Sequence, residues 1–244
     1  MGSDVRAYDP DNVLDRISSA ETLELQYRQV ERREREILAA RLDLAGGTVL
    51  SVGCGWHPGR HLFPAPAFRM VGIDTDPAKV AAVAARGSVD EAHVGRAGSL
   101  ALPERSFDVV LYRQVLHHVA HDQPLEPCFA EAARLLAPGG AMVSVEPGLW
   151  HPVGAALAGA NRLGLGPWVH GTPDDVPLSP RRLSAQALAA GLEPELHAVT
   201  YTWRRMPPPV QRGLWALDRH GSRPGLRAFG HTLMLIARRN SEPR

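Results

Sequence analysis

The sequence predicts an α/β chain built on a doubly wound, mostly parallel sheet, and three observations carry that reading. Short apolar runs alternate with helix-length amphipathic stretches from Thr48 to Val145, the pattern of strands covered on both faces by helices. The run Thr48–Val52 leads directly into the turn Gly53-Cys54-Gly55, where the absent side chains let backbone come close to a ligand. A second run, Arg69–Asp74, ends in an acid whose carboxylate has the acceptors to hold a ribose diol.

Taken in order, residues 1–17 read as irregular. Ser18 and Glu21 have the spacing of a capping box, and Leu23, Tyr27, Val30, Ile37 and Leu38 recur at helical intervals. One amphipathic helix is therefore expected from about Ser19 to Leu42, with a solvated charged face and a stop at Gly46-Gly47. After the first two strands, Asp76 and Pro77 cap and open a helix running to about Ala85. A weak strand is read at Ala92–Val94, a fourth at Phe107–Tyr112, and a short helix around Val115–Val119. Leu125–Leu136 reads as a helix ended by Pro138-Gly139-Gly140, and Ala141–Val145 as the fifth strand. Past Pro147 the periodicity fades, and Gly148–Leu178 is too long for an ordinary connection. Ser179-Pro180 starts another helix, to Gly191. Two last strands, Glu195–Tyr201 and Thr232–Ala237, flank an insertion holding Met206-Pro207-Pro208-Pro209 and a helix at Val210–Arg219. The expected organisation is one domain over residues 1–244. It comprises a helical cap at 1–47, a ligand-binding core at 48–147, and lid or substrate insertions at 148–178 and 203–230.

Composition narrows the function. The chain has 244 residues, 44% of them apolar, ample for one core. Its 27 basic and 26 acidic side chains leave a formal charge of +1, so no electrostatic grip on a nucleic acid is expected. Lys79 is the sole lysine and the only candidate for Schiff-base chemistry. Cys54 and Cys128 read as two reduced thiols. The first residues lack the apolar core of a signal peptide, and the best apolar run, Val153–Ala160, is broken by Asn161 and Arg162. No membrane partner is expected, and the cytoplasm is the expected location. The oligomeric state is not legible.

Four segments then fall into register: Val49-Leu-Ser-Val-Gly-Cys-Gly55, Val71-Gly-Ile-Asp74, Leu102–Leu111 followed by Val115-Leu-His-His-Val119, and Glu131–Gly140. In order and interval they resemble the class I S-adenosylmethionine-dependent methyltransferases, in particular the small-molecule type similar to quinone-biosynthesis methyltransferases. The likeness covers residues 48–147. It implies a Rossmann-like seven-stranded sheet with the last strand antiparallel, S-adenosylmethionine as cofactor, and a small-molecule acceptor. It also implies a cofactor set of Ser51, Gly53, Cys54, Gly55, Asp74, Thr75, Arg96, Ala97 and Arg113. By likeness, Gly53 and Gly55 admit the methionine and ribose, Asp74 holds the ribose, Thr75 lies against adenine, and Arg96-Ala97 read its edge. Tyr112, Arg113 and Gln114 follow the fourth strand near the methionyl end. The chain departs from the family at Ser51, where an acid is usual, at His57, where a third glycine is usual, and at Arg96, where Asp is frequent. Pro58 and Pro64 are expected to shorten the first helix of the core.

The candidate catalytic groups are histidines, since imidazole titrates near neutrality. His117 and His118 follow the fourth strand, and His151 opens the long insertion beside Glu146 and Trp150, with Trp168 and His170 further on. Adjacent histidines diverge on a helix, and with no acid or cysteine close in sequence to complete a set, no metal is expected. Asp174-Asp175 is read as a solvated pair or as an acid–base, and Tyr8 and Tyr27 as packing or cofactor-covering groups. The sequence does not separate O-, N- and C-methylation. Two other readings stay open: a non-catalytic or cyclase-like protein that keeps cofactor binding, and, less favoured, a nicotinamide-dependent oxidoreductase.

Overall fold

The computed structural model of the chain describes residues 20–165 and 175–240. Ser18 of the expected cap pair, the segment 1–17 with Tyr8, and Trp168, His170 and Asp174 lie outside them. Helix α1 spans Ala20–Arg41. The strands are β1 (Gly47–Val52), β2 (Phe68–Asp74), β3 (Glu91–Val94), β4 (Phe107–Arg113), β5 (Leu136–Pro147), β6 (Leu192–Thr200) and β7 (Thr232–Arg239). They form one sheet in the order β3-β2-β1-β4-β5-β7-β6. Pairing is parallel from β3 through β5, and β7 runs antiparallel to both β5 and β6. The seven strands and the single reversed strand are those expected. The strand order turns back on itself between β1 and β4, which opens a crevice at the carboxyl ends of these strands.

Helices cover both faces: α2 (Pro77–Ala85), α3 (Leu116–Asp122), α4 (Glu126–Leu135), α5 (Pro152–Arg162), α6 (Pro180–Ala189) and α7 (Pro208–Asp218). Leu50, Val52, Tyr112, Phe129 and Leu183 pack in one apolar layer, and Ile37, Val49, Phe63, Met70 and Val83 in the other. Successive strand residues feed opposite layers because their side chains alternate. Each fully buried large apolar side chain contributes ~1.5–3 kcal/mol relative to exposure, which holds the strand tips, and hence the crevice, in place.

Four expectations change. No helix follows β1: residues 53–67 form successive turns, closed by Leu62 N–H to the Gly59 carbonyl and Phe63 N–H to that of Arg60. Prolines remove the amide donors a helix needs there, and buried Leu62 and Phe63 fill the layer instead. A helix, α5, does form inside the 148–178 insertion. Its small residues hide the periodicity, but His151 caps it, Pro152 opens it, and Gly154 lets it press against the Gly148 carbonyl, 2.0 Å from where a Cβ would stand. Pro138-Gly139-Gly140 lies within β5, at a register shift opposite Phe107–Val109, rather than ahead of the strand. Finally, the face of α1 turned to the protein is not wholly apolar: Gln26, Gln29 and Glu34 are buried with Leu23, Ile37 and Leu38.

The 203–230 segment packs on α1 through a buried polar network. Asp218 accepts hydrogen bonds from the Tyr201 N–H (2.9 Å) and the Thr200 hydroxyl (2.9 Å), and Thr202 donates to Gln26 (2.8 Å). The Arg33 guanidinium donates to the Asp218 carbonyl at 2.9 Å. No helix among the described residues is long and apolar enough to cross a membrane.

Candidate active site

The glycine turn bends sharply because Gly53 (φ 64°) and Gly55 (φ 49°) take left-handed backbone, which other residues adopt only at a cost. At Gly53 there is also no room: a Cβ would stand 2.6 Å from Val115 Cγ2. The Cys54 N–H donates to the Ile73 carbonyl at 2.9 Å, stitching the turn to β2. Asp74, at the end of β2 and 8% exposed, accepts the Gly55 N–H on Oδ2 (2.8 Å) and the Asp76 N–H on Oδ1 (3.0 Å). A carboxylate has about four acceptor sites, so each oxygen keeps one for a ligand while its position is set by backbone. Asp76 caps α2 through the Ala78 N–H at 2.9 Å, which leaves Asp74 free of that duty.

Around this carboxylate lies a crevice of about 500 Å³, lined by Gly53, Gly55, Asp74, Thr75, Lys79, Gly95, Arg96, Ala97, Gln114, Val115, His118, Val119 and Gln123. Eight of the residues singled out from the sequence thus meet: Gly53, Gly55, Asp74, Thr75, Arg96, Ala97, Gln114 and His118. Gln114 shapes the wall with a left-handed φ of 60°, held by its N–H to the Val145 carbonyl at 2.8 Å. Such strain persists only where the surroundings impose it, and it is commonest at functional sites. The sequence does not mark Lys79, Gly95, Val115, Val119 and Gln123 as lining residues. Val115 stands three residues before His118 and four before Val119, a helical spacing that could have found them.

Five other candidates are not brought to the crevice lining. Ser51 is buried, one residue before the end of β1. Cys54 points into the core, 3.2 Å from where a Gly72 Cβ would stand, and burial pushes its thiol up to about 11. Cys128 is likewise buried and pushed up to about 11, so both free cysteines are poor nucleophiles near neutral pH. Arg113 leaves β4 on the opposite side from Tyr112 and pairs with Glu34 of α1, Nε to each carboxylate oxygen at 3.2 Å. His151 has both ring nitrogens engaged: Nδ1 accepts the Val153 N–H (3.2 Å) and Nε2 donates to the Tyr201 carbonyl (3.1 Å). Burial holds it below the ordinary imidazole value, and with both nitrogens engaged it caps α5.

His117 lies behind the crevice wall, 4% exposed, with Nδ1 2.6 Å from Glu146 Oε2 and Nε2 3.7 Å from Asp175 Oδ1. The fully buried Glu146 also accepts the N–H groups of Val115 (3.1 Å), Leu116 (2.9 Å) and His117 (3.3 Å). It therefore caps α3 from β5, a favourable place for a negative charge. The two acids flanking His117 come from 29 and 58 residues away and were not legible as its partners. The His118 ring packs on His117 with centroids 4.0 Å apart and remains exposed in the crevice. Trp150 packs against Phe229 and under Arg181 instead of lining the crevice.

Comparison with known proteins agrees with this geometry. Residues 50–144 match the methyltransferase domain family. A Mycolicibacterium smegmatis protein described as a probable S-adenosylmethionine-dependent methyltransferase is 37% identical over 118 residues, 47% of this chain and 44% of its own length. The chain thus spans under half of that curated relative. Among solved structures, a Thermotoga maritima S-adenosylmethionine-dependent methyltransferase, described as a possible histamine N-methyltransferase, superposes with a TM-score of 0.63 at 15% identity. That superposition covers 90% of this chain and 94% of the other. The cyclase SpnF superposes with a TM-score of 0.59 at 20% identity, over 86% and 81% of the two chains. These structural likenesses establish a shared fold. In sequence, residues 50–144 are similar to a methyltransferase domain.

Proposed function

We propose that this chain binds S-adenosylmethionine across the tips of β1, β2 and β4 and directs its methyl group to a small-molecule nucleophile, in the cytoplasm. One observation carries the reading. Asp74, pinned by two backbone amides and still able to accept, faces a crevice floored by Gly53 and Gly55. A carboxylate so held is suited to paired ribose hydroxyls, and the bare turn lets a ligand lie close to backbone. The cofactor supplies a methyl group already activated by a sulfonium. The protein's own task is to align donor and acceptor and to keep water away. Gln114 and Val115 hold the wall at the β4 end, and His118 is the exposed imidazole placed to take a proton from a hydroxyl acceptor. The insertions at 148–178 and 203–230 are proposed to complete the acceptor side within a single domain.

The test is calorimetry with S-adenosylhomocysteine and S-adenosylmethionine. Wild-type protein should bind both, and Asp74→Ala should weaken each about tenfold or more, through loss of paired hydrogen bonds to a charged acceptor. Binding of neither ligand overturns the proposal, and tight binding of a nicotinamide dinucleotide in its place would point to an oxidoreductase. The similarity to SpnF favours one second reading, a cyclase-like protein on the same scaffold, because fold alone does not fix the reaction. Cofactor binding without consumption of S-adenosylmethionine across an acceptor panel would favour it.

A further inference from the structure

The buried acid Glu34 has no part in the proposed methyl transfer. Glu34 sits on α1, 1% exposed, one helical turn from Val30 and from Ile37 and Leu38. An acid is costly in such an apolar stripe unless it is paired. It is paired twice, to segments that belong to the crevice. Both carboxylate oxygens lie 3.2 Å from Arg113 Nε, and Oε2 lies 3.2 Å from His61 Nε2. Arg113 is the last residue of β4, immediately before the strained, crevice-lining Gln114. His61 is on the run of turns that follows the glycine turn and replaces a helix. Burial pushes the Glu34 carboxyl up, but the Arg113 charge and the His61 and Arg113 hydrogen bonds outweigh it, leaving the group below the usual carboxylate range.

We infer that Glu34 is a positioning residue for the cofactor crevice: from the N-terminal helix it clamps the end of β4 and the loop after the glycine turn, and so fixes the spacing of the two walls. The inference rests on the crevice being the S-adenosylmethionine site. Its physical basis is the 53–67 segment, where no helical hydrogen-bond ladder stiffens the chain beyond the glycines. An ion pair to a helix docked on the sheet supplies the missing constraint, and Arg113 carries the same constraint to Gln114. The N-terminal helix then belongs to the binding site without touching the ligand.

The experiment compares S-adenosylhomocysteine affinity with thermal stability in the full chain. Glu34→Gln removes the charge and should weaken binding at least tenfold. Because that change leaves the partly buried Arg113 without its countercharge, a second variant, Glu34→Leu with Arg113→Met, replaces this ion pair by apolar groups, an exchange that is often neutral for stability. In the double variant the melting temperature should return towards wild type while affinity stays at least tenfold weaker. Recovery of affinity together with stability, or wild-type affinity in both variants, would overturn the inference. If wild-type protein itself binds no S-adenosylhomocysteine, the crevice assignment fails first, a result distinct from equal binding by wild type and variants.

Discussion

Gly53 and Gly55 look equivalent in sequence, yet their surroundings differ. A side chain at Gly53 would meet Val115 at 2.6 Å, whereas at Gly55 the nearest atom is the Gly53 carbonyl oxygen at 3.9 Å. Both share left-handed backbone. Gly55→Ala should therefore cost about 1 kcal/mol, from backbone strain alone. Gly53→Ala should cost about 2–4 kcal/mol, since overpacking is added. Urea unfolding of the two variants measures this, and equal losses would contradict it. Asp74 was legible from its place at the end of an apolar run. That its oxygens are held by the Gly55 and Asp76 amides was not, because the two donors become neighbours only once β1 and β2 pair. Arg113 shows the opposite case. Its position after the fourth strand suggested the cofactor, but strand alternation turns it to the other face, where Glu34 waits.

Helix caps account for two of the three candidate catalytic histidines. His151 closes the first turn of α5 by accepting the Val153 N–H. His151→Ala should lower stability by about 1 kcal/mol, the usual cost of a lost cap, and leave cofactor affinity unchanged. A tenfold loss of affinity in a folded variant would return His151 to the site. Glu146 caps α3 from β5 and holds His117, so Glu146→Gln removes a buried charge from three amides and an imidazole. Loss of about 2–3 kcal/mol is expected, because hydrogen bonds to charged groups are the stronger class. A denaturation midpoint unchanged from wild type would refute that capping role. Element types were largely readable, since apolar period separates strand from helix. Helix α5 escaped because glycine and alanine carry almost no period, and the turns after β1 were read as a shortened helix because prolines limit a helix without revealing what replaces it.

Across the whole molecule, buried titratable groups set opposing pH dependences. Burial pushes His231 down to about 3, helped by His151 and Arg204, and His197 down to about 4. Burial pushes Asp218 up to about 6 against its hydrogen bonds. Below about pH 6 the unfolded chain takes up protons on the two histidines that the folded chain refuses, so stability falls with pH. Asp218 works in the other direction: between about 4 and 6 the folded state holds its proton and the unfolded state does not. Across these three groups the unfolded chain thus binds about one proton more, and their contribution to stability should fall by ~1.4 kcal/mol per unit as pH drops through this window. Asp218→Asn should steepen the fall towards twice that value. Denaturation midpoints between about pH 4 and 7 decide it, and an unchanged slope in the variant would refute the assignment.

The alternation of strands and helices, the glycine turn and the acid at the tip of the second strand are all legible in the order of residues along the chain. Each is a local requirement of backbone conformation or periodicity, carried by residues close together in the chain. Which of the remaining candidates face the crevice follows from strand pairing and helix docking. The same pairing and docking place Glu34 against Arg113 and His61, and Glu146 against α3, across separations of 27 to 79 residues. A buried charge is stable only beside its partner, and which partner reaches it depends on how the strands pair and the helices dock, not on the residues next to it in the chain.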